Sequence, residues 1–121
     1  MNVLIAEDDL TLRQMMEILL SRKDIPYKVV GDGQGAVEAW ESGAYDMVFM
    51  DVQMPGMDGL EATRIIREKE KDKGGHVPII AMTAHAMTGD RDACRAAGMD
   101  DYISKPFRFD ELFSLIDKYS E

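Results

Sequence analysis

The chain has 121 residues, 45% of them hydrophobic, which suits one compact domain spanning residues 1–121 and leaves no room for a second. Its net charge of -9 argues against direct nucleic-acid binding, which needs an excess of Lys and Arg, and suits a site for a divalent cation. A single cysteine, Cys94, excludes an internal disulfide framework and points to a reducing, cytoplasmic setting, and no apolar run is long enough to cross a membrane.

Short apolar runs alternate with amphipathic segments five times. Val3-Leu4-Ile5-Ala6 reads as a strand, and Leu12, Met15, Met16, Leu19 and Leu20 then follow helical spacing. Tyr27-Lys28-Val29-Val30 is a second strand. Asp32 can cap a helix carrying Ala36, Val37 and Trp40, with Gly43 to end it. A third strand runs over residues 45–50, with Asp51 directly after it. Ala62, Ile65 and Ile66 mark a helix that runs out in the charged stretch 67–73 and is broken by Gly74 and Gly75. Residues 77–82 form a fourth strand. A weaker helix over 88–97 places Ala93, Ala96 and Ala97 on one face, with Cys94 a small packing residue. Asp101-Tyr102-Ile103-Ser104 is a short fifth strand. Leu112, Leu115, Ile116 and Tyr119 stripe the last helix, with Asp110 and Glu111 in its first turn.

Five βα units in this order predict an α/β fold, a doubly wound parallel sheet with helices on both faces. The strand runs agree, because a strand covered on both faces need not alternate. In such sheets chemistry gathers at the carboxyl ends of the strands. The residues there are Glu7 and Asp8, then Asp51, then Thr83, then Lys105 followed by Pro106. Carboxylates brought that close repel one another unless a cation neutralises them. Two or three acids suit a hard cation bound through oxygen, such as Mg²⁺ with waters completing an octahedron. One carboxylate can then attack phosphorus to give an aspartyl phosphate, while a hydroxyl at Thr83 and an ammonium at Lys105 contact the phosphoryl oxygens.

Taken singly, each of these residues has a plainer reading. Adjacent acids after a strand often cap a helix, and Asp9 suits that role. Asp51 could form a turn, Thr83 could simply end a strand, Tyr102 could be core and Lys105 a solvated surface lysine. Their occurrence at successive strand ends, in this order, reverses those odds.

The words Leu4-Ile5-Ala6-Glu7-Asp8-Asp9, Met50-Asp51-Val52-Gln53-Met54-Pro55-Gly56-Met57-Asp58-Gly59, Met82-Thr83-Ala84 and Lys105-Pro106-Phe107 together resemble the response-regulator receiver domains of two-component signalling, over the whole chain. The resemblance implies the flavodoxin-like strand order 2-1-3-4-5. It implies that Asp51 accepts phosphate from a phosphohistidine of a histidine kinase or histidine phosphotransfer domain. Asp8 and Asp51 would ligate Mg²⁺ (with Mn²⁺ as a substitute) through side chains and Gln53 through its backbone carbonyl, while Glu7 would act through a metal-bound water. Thr83 would bond a phosphoryl oxygen and Lys105 would pair with the phosphate. Tyr102 matches the family's switch aromatic. It would turn inward as Thr83 moves, changing the partner preference of the face made by the fourth helix, fifth strand and fifth helix, where an output domain or protein would dock. Gln53 and His85 would tune phosphate lifetime, and Lys105-Pro106 is a candidate cis peptide. Neither His76 nor His85 has a metal-ligand spacing partner, and a histidine phosphodonor on this chain is not expected.

The phrasing around Asp51 and Thr83 is most like receivers attached to hybrid histidine kinases, which pass phosphate to or from a histidine phosphotransfer domain. Both a stand-alone receiver and a segment of a larger protein fit the chain. Rival functions fare worse. An aspartyl phosphatase of the dehalogenase-like type needs a general acid two residues after its nucleophile, where this chain has Gln53. A nucleotide-binding domain needs a glycine-rich loop after the first strand, where Glu7-Asp8-Asp9-Leu10 would repel phosphate. A receiver that binds partners without phosphorylation would have no need of the complete acid, Thr and Lys set.

Overall fold

The computed structural model describes residues 1–83, 88–105 and 107–120, with backbone only for 88–90. Five strands alternate with five helices: β1 (Val3–Ala6), α1 (Leu10–Arg22), β2 (Tyr27–Val30), α2 (Gly33–Ser42), β3 (Met47–Asp51), α3 (Gly59–Lys73), β4 (Ile79–Thr83), α4 (Thr88–Ala97), β5 (Asp101–Ser104) and α5 (Phe109–Tyr119). All four strand pairings are parallel, in the order β2-β1-β3-β4-β5. The expected fold class and strand order are both observed.

Side-chain alternation splits the core into two layers. Leu4, Ala6, Val48, Met50, Ile79 and Ala81 point to one face, where they meet Ala36, Ala39, Ile66 and Cys94 from α2, α3 and α4. Val3, Ile5, Met47, Phe49, Ile80 and Met82 point to the other, against Met16 and Leu20 of α1 and Leu112 and Ile116 of α5. β1, β3 and β4 are buried throughout, which explains their unbroken apolar runs. Among the described residues no helix is long and apolar enough to cross a membrane.

The bounds of two strands differ from the sequence reading. β3 starts at Met47 and includes Asp51, because Val52 N–H still bonds the Met82 carbonyl oxygen at 3.1 Å and extends the ladder. β4 starts two residues later than expected, after Pro78, which has no N–H to donate. α3 ends at Lys73 with Gly74 as its cap, as expected, and within its charged stretch Glu70 is buried and accepts from Val77 N–H on the approach to β4. On α4 the buried residues are Cys94 and Ala97, whereas Ala93 and Ala96 are exposed. A short helix with a narrow stripe of small residues leaves its rotation undetermined by periodicity alone.

The helix caps were legible. Asp9 accepts from Thr11 N–H at 3.1 Å, and Asp32 accepts from Gly35 N–H at 2.7 Å. Asp58, not singled out from the sequence, caps α3 by accepting from Glu61 N–H at 2.9 Å. Gly43 ends α2 in an extended conformation, not a left-handed one.

Candidate phosphoacceptor and cation site

Parallel register sets the site. Ala6 lies opposite Met50, so the residues that follow, Glu7 and Asp51, emerge side by side. Thr83 pairs with Ser104, and Lys105 follows, its N–H bonded to the Thr83 carbonyl oxygen at 2.7 Å. The carboxyl ends of β1, β3, β4 and β5 thereby frame a cavity of ≈ 190 Å³. It is lined by Glu7, Asp8, Asp9, Asp51, Val52, Gln53, Thr83 and Lys105. Every expected site residue at a described position is present in this lining except Tyr102. His85 and Pro106, and with Pro106 the isomer of its peptide bond, lie outside the described residues.

Burial makes the charges consequential. Glu7 is fully buried, Asp51 is 4% exposed and Thr83 is 7% exposed, while Asp8 and Gln53 face solvent. Lys105 Nζ lies 2.8 Å from Glu7 Oε1 and 3.1 Å from Asp51 Oδ2. Both contacts are ion pairs at hydrogen-bonding distance, so one ammonium bridges the two carboxylates. Glu7 Oε2 accepts from Asp9 N–H at 3.0 Å, and Asp51 Oδ1 accepts from Gln53 N–H at 3.2 Å.

One ammonium shared by two buried acids is an incomplete neutralisation. Burial, and then the neighbouring Glu7 carboxylate, push Asp51 from 3.8 up to about 7, against the opposing pull of Lys105. Burial acts to lower the Lys105 pKa, but Glu7 and Asp51 outweigh it and hold the ammonium above its ordinary range.

Glu7, Asp8 and Asp51 each offer an oxygen within 4.8 Å of the other two. An all-oxygen set that includes two buried acids and opens to solvent at Asp8 fits a hard divalent cation that keeps some of its water. Sequence reasoning found these acids. It did not foresee the ion pairs of Lys105 with Glu7 and Asp51.

Tyr102 sits apart, on the flank of β5. Its ring is half-buried, and the Arg91 guanidinium of α4 stacks over it at 4.2 Å. Beside it, an open groove of ≈ 520 Å³ runs between β5 and the starts of α4 and α5, past Arg91, Tyr102, Asp110 and Glu111. Neighbouring Asp101 bonds Lys118 at 2.9 Å, the Tyr119 hydroxyl at 3.1 Å and Tyr102 N–H at 2.9 Å. Burial acts to raise the Asp101 carboxyl, but these three donors outweigh it and lower its pKa. A lowered carboxyl stabilises the fold above its ordinary pKa, and that stability fades as pH falls through the lowered value. Asp101→Asn is therefore expected to cost up to about 1 kcal/mol near neutrality, given its partly solvated partner, and nothing at strongly acid pH. Urea unfolding at both pH values checks this.

Residues 3–117 match the family model described as response regulator receiver domain. The chain belongs to that family. Receivers of known structure superpose closely on this one. The receiver domain of a sensor histidine kinase from Pseudomonas aeruginosa, solved with a magnesium ion coordinated in the active site cleft, is 39% identical. The match covers 98% of this chain and 95% of that one, with a TM-score of 0.88. The receiver domain of the response regulator Ssk1 from Saccharomyces cerevisiae, solved with the histidine phosphotransfer protein Ypd1, is 33% identical over 98% of this chain and 88% of that one. Its TM-score is 0.95. Among curated proteins, hybrid signal transduction histidine kinase I of Dictyostelium discoideum is 41% identical over 119 residues, covering 94% of this receiver but 7% of the kinase. Sensor histidine kinase GacS of Pseudomonas protegens is 37% identical over 119 residues, covering 98% of this receiver and 13% of the kinase. The receiver thus spans a small fraction of the length of these relatives.

Proposed function

We propose that residues 1–121 form a Mg²⁺-dependent phosphoacceptor switch of a phosphorelay, with Asp51 as the acceptor. The observation that carries this reading is the convergence of Glu7, Asp8 and Asp51 oxygens within 4.8 Å, with Lys105 salt-bridged to Glu7 and Asp51. Asp8 and Asp51 side chains, the Gln53 carbonyl and, through water, Glu7 would hold the cation. When bound, Mg²⁺ neutralises the carboxylates and the incoming phosphoryl oxygens.

This chain's own residues supply the rest. An Asp51 oxygen uses a lone pair to form the new O–P bond, and the donor's P–N bond breaks with its electron pair going to the imidazole nitrogen. Lys105, already facing the Asp51 oxygen, follows the developing charge to a phosphoryl oxygen. Thr83 donates its hydroxyl to a second oxygen. Gln53 and His85, two residues past Asp51 and Thr83, affect water's access to the acyl phosphate and so its lifetime. Tyr102 and the groove beside it respond as Thr83 moves, and a partner or output domain reads that face. The donor is a histidine kinase or histidine phosphotransfer domain, consistent with the Ypd1 complex of the related receiver. No free metabolite is turned over, and Mn²⁺ serves in place of Mg²⁺. A parent hybrid histidine kinase suits the similarity to such kinases, and a cytoplasmic location suits the single buried thiol.

Intact-mass analysis after incubation with acetyl phosphate and Mg²⁺ tests the reading. A phosphoryl mass gain is expected in the wild type, lost with chelator and lost in Asp51→Asn. Phosphorylation that persists in that variant would remove Asp51 from the role.

A further inference from the structure

Residues 52–58, which carry Gln53, leave β3 and return to α3 without secondary structure of their own beyond bends. Their base is fixed by Val52 N–H on the Met82 carbonyl oxygen and by Gly59 N–H on the Val52 carbonyl oxygen, each at 3.1 Å. Their far end is held from a different element. Gly33, the buried first residue of α2, donates its N–H to the Met57 carbonyl oxygen at 3.2 Å. A Cβ on Gly33 would collide with that same oxygen and stand 3.0 Å from the Asp58 carbonyl oxygen. These neighbours are backbone, so no change of rotamer can make room. Either the loop shifts or the α2 start withdraws and its hydrogen bond is lost. The two glycines flanking Gly33, Gly31 and Gly35, differ. A Cβ on Gly35 meets side chains of Asp32 and Val30, and one on Gly31 meets only an Arg13 nitrogen at 3.7 Å.

The geometry points to Gly33 as a positioning residue for the cation and phosphoryl site, acting through the Met57–Asp58 backbone on the loop that presents Gln53. This rests on the phosphoacceptor reading and extends it to α2, which contributes no residue to the cavity lining. Partners hydrogen-bonded directly to metal ligands commonly change affinity by about 10–100-fold when altered, and Gly33, bonded to the loop four residues from Gln53, belongs at the low end of that range. Displacements of about 1 Å are enough to disable such sites.

The test is Mg²⁺ titration of the full chain by calorimetry and by amide NMR. Gly33→Ala is expected to weaken Mg²⁺ binding by about tenfold or more. Gly31→Ala, with open space, and Val37→Ala, which loosens the same helix in the core, are expected to keep the wild-type affinity. Unchanged affinity in a folded Gly33→Ala protein would overturn the inference, as would a loss matched by Val37→Ala. If Gly33→Ala does not fold, the wild type decides. The Gly33 amide resonance must shift with Mg²⁺ along the same saturation curve as Gln53, and a Gly33 amide indifferent to Mg²⁺ while Gln53 responds would overturn the inference. A wild type that binds no Mg²⁺ at all would instead overturn the reading of the site itself.

Discussion

Asp51→Asn, with no divalent cation present, is expected to unfold at a higher temperature than the wild type, and the gap is expected to widen from pH 5 to pH 8. The Asp51 carboxyl is raised from 3.8 to about 7 by burial and by Glu7. Between those values the folded protein holds a proton that the unfolded chain releases. The folded state therefore loses stability as pH rises through this window, and the loss levels off above about pH 7. A rise of this size corresponds to about 4 kcal/mol, and partial solvation and the shared Lys105 reduce this to about 2 kcal/mol. For a domain of this size the gain in Tm is about 8 °C. Asparagine carries no charge to desolvate and can donate an amide hydrogen toward Glu7, so its own stability lacks this pH dependence. Mg²⁺ works against this gap. Ten millimolar Mg²⁺ is expected to stabilise the wild type by about 1–3 kcal/mol through mass action and the variant by much less. Urea titrations at pH 5 and pH 8, with and without Mg²⁺, measure all four quantities. Equal stability of the two proteins at pH 8 would mean that Lys105 alone neutralises both buried acids.

The same energetics explain what could and could not be read from the sequence. The fold was legible because β1, β3 and β4 are buried on both faces and so read as apolar runs, and because Asp9 and Asp32 mark helix starts that the structure confirms. The acids of the site were legible because they fall directly after those runs. The Lys105 ion pairs were not, since they depend on β5 lying beside β4 and on the path of a single loop. Nor was the polar network at the other end of the sheet. Arg67 bonds Glu70, Asp100 and the Gly98 carbonyl oxygen, while Glu70 accepts from Val77 N–H and Asp100 from Ile79 N–H. His76, exposed, pairs there with Asp100 at 2.6 Å. Charges in the stretch 67–73 look like a solvated helix face, and only the return of the chain through β4 shows that Glu70 faces inward. Gly33 and Gly59 left no trace beyond their identity, because their role is the close approach of backbones distant in sequence.

Lys105→Met is expected to bind Mg²⁺ more tightly than the wild type while losing most of its phosphorylation rate. The ammonium stands 2.8 Å from Glu7 and 3.1 Å from Asp51, so it occupies the same negative potential that attracts a divalent ion. Two opposite charges at this distance attract by several kcal/mol, about 5–6 at an effective dielectric of 20, and a cation arriving at Asp51 must weaken that attraction. Methionine has a similar reach and no charge. Its acids, left less compensated, are expected to lower cation-free stability by about 2 kcal/mol, less than a fully buried broken pair because Lys105 retains some exposure and Asp51 can hold a proton. Part of that repulsion is relieved when Mg²⁺ binds, which tightens the affinity by about tenfold. Phosphoryl transfer responds in the opposite sense, since a donor aimed at developing charge is missing, and the rate is expected to fall by about 10²-fold. Calorimetric titration alongside phosphorylation by acetyl phosphate separates the two effects. Tighter Mg²⁺ with slower transfer would identify Lys105 as a group that yields the carboxylates to the cation and moves to the phosphoryl oxygens. Weaker Mg²⁺ would mean that its main task is to hold Glu7 and Asp51 in place as ligands.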